Sequence, residues 1–189
     1  LAGVSASQVE MQSGIQFYDG ITTAEIQEIL IRSASDLIDL DHPNYQFVAA
    51  RLLLFATRKQ LYGRMHDTPT VRKHVEQCVE RGVYDTEILD LYTEEEFDRL
   101  ESMIDHHRDY LFTYAGLRQV VDKYLVQDRS SGTLYETPQF MYLLIAATIF
   151  SKYPKETRLD YVKKYYDAIS RHKINIPTPI MAGVRTPLR

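Results

Sequence analysis

The sequence predicts a mainly α-helical protein with one short β-hairpin and an extended strand at its end. Three observations predict it. Apolar residues recur at helical spacing along most of the chain. Two Thr-x-x-Glu capping boxes stand at Thr22 to Glu25 and Thr93 to Glu96. A turn-rich Asp/Ser/Gly stretch between short alternating arms occupies residues 124–136.

Size and composition bound what such a chain can be. Its 189 residues suffice for one sizeable core, or for two small lobes sharing an interface. Hydrophobic residues at 44% and charged residues at 25% are ordinary for folded domains, which excludes a disordered or low-complexity chain. A net charge of -4 argues against a dedicated nucleic-acid binder, since phosphate recognition leaves a basic surplus. One cysteine, Cys78, excludes an internal disulfide framework and fits a cytoplasmic origin. The longest apolar run, Phe140 to Phe150, is about half of the roughly 20 residues that cross a bilayer, so no membrane span is expected.

From the start, residues 1–63 read as a lobe of three helices. Behind the Thr22 box, Ile26, Ile29, Leu30, Ala34, Leu37 and Ile38 form one core-facing stripe. A third helix is expected from Pro43-Asn44 through Val48, Leu52, Phe55 and Leu61 to Gly63, a residue suited to the left-handed helix stop. Arg58 and Lys59 fall in its last turns, where cations complement the negative end of the helix dipole; a phosphate clamp is the sharper alternative.

Residues 64–173 read as a second, helical lobe. Val71, Val75, Cys78 and Val79 make a stripe that ends before Gly82, so Cys78 is expected as a buried packing residue rather than a nucleophile. The Thr93 box opens a helix with Phe97, Leu100, Met103 and Ile104 inward, and the acidic run Glu94, Glu95, Glu96 suits the positive helix start. After the hairpin, Thr137-Pro138 starts a helix apolar nearly all round, expected to be central and buried. Pro154 separates it from a last helix carrying Leu159, Val162, Tyr166 and Ile169 on one face and ending near His172. Residues 174–189, with Pro177, Pro179 and Pro187, read as an extended apolar strand that prolines keep from being helical. The absent initiator methionine and this strand without partners lead us to expect that both ends are cut and that a larger sheet follows.

Few clusters invite chemistry. In Asp105-His106-His107-Arg108-Asp109, His106 and Asp109 stand three apart, but two ligands are too few for a metal site, and a solvated, charge-paired helix end is expected. Phosphate-loop, dinucleotide-loop and nucleophile-elbow motifs are missing from the sequence. The fourteen tyrosines sit mostly on helical stripes or at helix ends, where packing suffices as a role.

Resemblance goes further. Ser7-Gln-Val-Glu10 followed by Ile15-Gln-Phe-Tyr-Asp-Gly-Ile21 resembles the later part of an ATP-cone. Tyr45-Gln-Phe-Val-Ala-Ala-Arg-Leu52, Tyr92-Thr-Glu-Glu-Glu-Phe97, Lys123-Tyr-Leu-Val-Gln127, Pro154-Lys-Glu-Thr-Arg158 and Pro177-Thr-Pro-Ile-Met-Ala-Gly-Val-Arg-Thr-Pro187 are similar to the large subunit of class Ia aerobic ribonucleoside-diphosphate reductases. The resemblance implies residues 1–63 as the C-terminal part of the ATP-cone, 64–173 as the helical N-terminal domain, and 174–189 as the first strand of a truncated α/β barrel. The cone's opening hairpin is expected to lie before Leu1. The resemblance implies that Thr23 contacts the adenine of ATP or dATP, that Lys59 reaches the effector phosphates, and that Thr178 binds substrate; Gln27 stands where relatives carry a histidine. It also implies a homodimer, a separate small subunit with a di-iron tyrosyl radical, and thioredoxin or glutaredoxin as reductant. No catalytic residue is expected here, because the reducing and radical-bearing cysteines would follow Arg189, and no metal ligand, because His106 and Asp109 alone are too few. Two rival readings are a free-standing helical interaction module and a stand-alone nucleotide sensor.

Overall fold

The computed structural model describes residues 1–188. Ten α-helices and a two-stranded hairpin make up its regular structure, with one 3-10 turn and one π-helical turn between them.

The first three helices are α1 (Ala6–Gly14), α2 (Thr23–Asp36) and α3 (Tyr45–Tyr62). Helix α2 starts because Thr22 and Glu25 satisfy each other's backbone amides: Thr22 Oγ1 accepts from the Glu25 amide at 3.2 Å, and the Glu25 carboxylate accepts from the Thr22 amide at 2.9 Å. It ends at Asp36, earlier than the apolar stripe suggested, so Ile38 lies beyond it and is exposed. The fully buried positions are Ile31, Ser33 and Ala34; they do not share one side, because α1 and α3 both pack on the helix and Ser33 accepts from Gln16 at 3.2 Å. Helix α3 stops at Gly63, whose φ of 75° only glycine adopts without strain and whose amide donates to the Lys59 carbonyl at 2.9 Å.

A small core of Val9, Ala34, Tyr45 and Ala49 holds these helices together. Ala34, late in α2, shares it with Tyr45 and Ala49, early in α3. The connection of residues 37–44 is short, so α2 and α3 run antiparallel. The start of α2 and the end of α3 therefore lie at the same end of the pair.

The other face of α3 gives Ala50, Leu53 and Leu54 to the main core. Helix α8 (Pro138–Phe150) runs through that core with residues 138–147 all buried, as expected of a helix with no polar face. Helix α9 (Lys155–Ser170) packs along it through Leu159, Val162, Tyr166 and Ile169. Around them stand α4 (Val71–Glu80), α5 (Glu87–Leu91), α6 (Glu94–Met103) and α7 (Tyr114–Gln119). A 3-10 turn spans His106–Leu111, and a π-helical turn spans Val120–Tyr124. The hairpin pairs β1 (Gln127–Asp128) with β2 (Thr133–Leu134), and Asp128 shapes its turn by accepting from the Ser130 amide at 2.8 Å. No helix among the described residues is long and apolar enough to cross a membrane.

The tail differs from the expected strand. Residues Thr178–Gly183 form a short helix, α10, capped by Pro177 and with Pro179 in its first turn. Those are the helix positions where a proline does no harm, since first-turn amides have no intrahelical acceptor and the ring presets a suitable φ. With no partner strand among the described residues, the backbone satisfies itself locally, as in the Ile180 amide donating to the Pro177 carbonyl at 3.0 Å. Residue 189 lies outside the described residues.

Candidate functional site

Thr23 is the first residue of α2, and Lys59 lies in the last turn of α3. Both side chains are exposed, and the antiparallel pairing puts them at the same end of the helix pair. Beside Thr23, Tyr18 donates to Glu25 at 2.9 Å. Hydrogen bonds from Thr22, and then from Tyr18, hold the Glu25 carboxyl below its ordinary pKa. Gln27, one turn beyond Thr23, is half-buried. An ammonium and a helix start at one end suit an anionic ligand with a polar ring: Lys59 supplies a point charge, and Thr23 a hydroxyl able to donate or accept.

Arg58 departs from the dipole-complementing role. It is buried, and its Nη2 donates to Asp109 Oδ2 at 2.9 Å and to the His106 carbonyl at 2.9 Å. Asp109 also accepts from Gln139 at 2.9 Å; Gln139 accepts from the Tyr166 hydroxyl at 2.7 Å; and that hydroxyl accepts from the Asp105 amide at 2.9 Å. The Asp105 to Asp109 stretch is therefore no solvated helix end. It is a 3-10 turn with a buried carboxylate at its centre, because Arg58 and Gln139 offer the donors that water would otherwise supply. Burial raises the Asp109 pKa against the pull of Arg58. Burial likewise pushes His106 down to about 4, and His74, stacked on Phe140 at 3.9 Å, down to about 3. Among the described residues no group of three His, Cys, Asp or Glu converges as a metal site would require.

At the other end of the chain, Thr178 opens α10 with its side chain exposed and its Oγ1 3.4 Å from the Tyr124 hydroxyl. Arg185 fastens this segment down. Its Nε donates to Glu136 at 2.9 Å, its Nη2 donates to both Glu136 and the Tyr124 carbonyl, and its Nη1 donates to the Met181 carbonyl at 2.6 Å. Both partners are buried; Glu136 also accepts from the Val126 amide at 2.7 Å and from Tyr84. A cleft of about 700 Å³ runs between α10 and the hairpin, lined in part by Lys123, Tyr124, Arg129 and Gly183. Cys78 is buried, and burial pushes its thiol up to about 12, which keeps it protonated and unreactive.

Known proteins match most of the chain. An ATP cone domain model matches residues 3–60, and a model of the ribonucleotide reductase all-alpha domain matches residues 110–189. All 189 residues align at 54% identity with ribonucleoside-diphosphate reductase 1 subunit alpha of Escherichia coli (strain K12). The chain carries an ATP cone domain and a ribonucleotide reductase all-alpha domain. Identity to the subunit alpha of Haemophilus influenzae is 56% over the same length, and to that of enterobacteria phage T4 it is 44% over 99% of the chain. In each case the chain spans about a quarter of the relative's length, 25%. Thr23, Arg58 and Lys59 lie in the cone match; Glu136, Gln139, Tyr166, Thr178 and Arg185 lie in the all-alpha match.

Sequence reasoning missed the buried charges. Arg58, Asp109, Glu136 and Arg185 carry no local signature, since each finds its partner about 50 residues away, at separations of 51 and 49. A faint signal existed for one pair: Glu96 was read as a capping residue only, yet it also accepts from buried Arg158 at 2.7 and 2.5 Å.

Proposed function

We propose that this chain is the effector-sensing and helical part of a ribonucleoside-diphosphate reductase alpha subunit. ATP or dATP binds at the end of the α2–α3 pair, with Thr23 meeting the adenine and Lys59 the phosphates. The observation that carries this reading is an exposed hydroxyl and an exposed ammonium at one end of an antiparallel helix pair, inside the stretch that matches the ATP cone.

The reaction served is reduction of ribonucleoside diphosphates at the 2′ carbon in the cytoplasm, by a homodimeric alpha subunit. Thr178 contributes a hydroxyl or its backbone to diphosphate substrate binding. A separate small subunit with a di-iron tyrosyl centre supplies the radical, and thioredoxin or glutaredoxin renews the reducing cysteines. Within this chain the one thiol, that of Cys78, is buried and protonated, so none of its residues performs the reduction. The 189-residue chain alone is expected to form no deoxyribonucleotide.

Calorimetric titration of ATP and dATP tests the effector site. Lys59→Ala in the full-length subunit should weaken both nucleotides by about tenfold, the loss of one charge-assisted contact of about 1.4 kcal/mol. Unchanged affinity in that variant would remove Lys59 from the site.

A further inference from the structure

Lys59 and Arg58 are consecutive residues in the last turns of α3, yet they serve opposite sides of it: the lysine is open to solvent and the arginine is buried. Successive helical positions diverge by about 100°, so one short turn of helix holds the proposed effector contact and a buried ion pair rigidly together. The pair leads onward through a continuous series of hydrogen bonds. Arg58 binds Asp109 in the 3-10 turn, Asp109 binds Gln139 in α8, Gln139 binds Tyr166 in α9, and Tyr166 binds the Asp105 amide back in the turn. Arg58 lies in the cone match, Gln139 and Tyr166 lie in the all-alpha match, and Asp109 stands one residue before the latter begins.

Two details show that this junction has room to change. The buried Arg58 Nε has no hydrogen-bond partner among the described residues, and Nη1 reaches the Met65 carbonyl only at 3.4 Å. A guanidinium with donors to spare can exchange acceptors when its helix rotates, whereas a fully satisfied one resists. Buried pairs of this kind add little net stability. Coupling between sites needs such an element with more than one arrangement.

We propose that Arg58 and Asp109 are positioning residues that transmit effector occupancy at the end of α3 to the helical body of the subunit. The proposal rests on the effector reading above. A nucleotide that draws Lys59 toward its phosphates turns the last turn of α3. Arg58 turns with it, and the change reaches α8 and α9 through Asp109, Gln139 and Tyr166. Neither Arg58 nor Asp109 touches the nucleotide.

The test uses the full-length alpha subunit with its small subunit. Three proteins are compared: wild type, the neutral double variant Arg58→Gln with Asp109→Asn, and Tyr166→Phe, which removes one hydroxyl at the far end of the series. For each, ATP and dATP affinities are measured by calorimetry, and reduction of a ribonucleoside diphosphate is measured with saturating ATP and with saturating dATP. We expect the double variant to hold both nucleotides within about twofold of wild type while the ratio of the two rates moves toward one by at least about fivefold. Tyr166→Phe should show a smaller change in the same direction. A purely structural role would lower the melting temperature and leave the ratio alone, and that result overturns the proposal. If the double variant does not fold, Tyr166→Phe decides, and an unchanged ratio in it overturns the proposal. Failure of the effector reading looks different: Lys59→Ala would then leave both affinities as they are.

Discussion

Replacing Arg185 by methionine tests how the tail is held. In the native chain the Glu136 carboxylate is buried and receives four donors: Arg185 Nε and Nη2, the Tyr84 hydroxyl and the Val126 amide. Arg185→Met removes two of them together with the countercharge, and it strips the Met181 and Tyr124 carbonyls of their guanidinium donor. Breaking a buried pair from one side costs about 3–5 kcal/mol, because the remaining charge stays out of water without compensation. For a chain of this size that lowers the melting temperature by about 10 °C. Adding Glu136→Gln removes the stranded charge, so the double variant should be more stable than Arg185→Met by about 1–3 kcal/mol. Urea unfolding of the 189-residue chain at pH 7, followed by circular dichroism, reads both. A single-variant cost under about 1 kcal/mol, or a double variant no more stable than Arg185→Met, would show that the pair does not hold the tail as described.

Three further outcomes are expected. Leu144→Ala, in the fully buried stretch of α8, should cost about 2–5 kcal/mol in the same urea assay, since the helix is packed on all sides and cannot collapse into the space. Thr93→Ala removes the hydroxyl that accepts from the Glu96 amide at 3.3 Å and should cost about 1 kcal/mol. The third concerns pH. His74 and His106 are held neutral in the folded chain with pKa values near 3 and 4, so unfolding takes up protons below about 6.5 and stability falls as pH drops through that window. Each histidine should cost about 2 kcal/mol between pH 7 and 5. The raised pKa of Asp109 acts in the opposite sense just above its ordinary range, so an unfolding series from pH 7 to 5 isolates the histidines best at its upper end. His74→Gln should remove about half of the loss; an equal loss in that variant would sink the assignment.

What the sequence could reveal divides along the range of the forces. Capping boxes act over three residues, so Thr22 with Glu25 and Thr93 with Glu96 were legible and stand as expected. The buried helix at Pro138 was legible because, Gln139 apart, the ten residues 138–147 are apolar and leave no polar face. The stripe on α2 was legible only in part. Periodicity cannot say how many neighbours cover a helix, and Ile31, off that stripe, is buried in the main core. The helical start of the tail was hidden because the prolines at 177 and 179 break a helix interior yet suit a first turn, and the sequence does not reveal where the turn begins. For the candidate site, Thr23 drew its interest from resemblance alone, whereas Lys59 drew it also from the phosphate clamp that its place at the end of α3 left open. The neighbouring Arg58 looked like the same kind of cation until its partner 51 residues away was in view.

Three buried arginine–carboxylate pairs, Arg58 with Asp109, Arg158 with Glu96 and Arg185 with Glu136, join segments far apart in the chain. Were stability their purpose, apolar side chains of similar volume would serve as well or better. What a pair adds is direction: a guanidinium fork and a carboxylate meet well in few geometries, while leucines slide. Each pair sits where sliding would matter most. Arg58 fixes the end of α3 against the 3-10 turn, Arg158 fixes the start of α9 against the start of α6, and Arg185 fixes α10 against the hairpin. Two of the three junctions carry a residue of the proposed nucleotide sites, Lys59 beside Arg58 and Thr178 on the helix that Arg185 clamps. The Arg158 junction carries none, and its guanidinium is fully engaged, donating to Glu96, the Ser151 carbonyl and the Leu91 carbonyl while lying 4.3 Å from the Tyr92 ring centre; that of Arg185 is engaged to the same degree, with all three nitrogens donating. That contrast separates two joints built to stay from one with donors to spare, and it is why Arg58, and not Arg158 or Arg185, is the place to look for transmission.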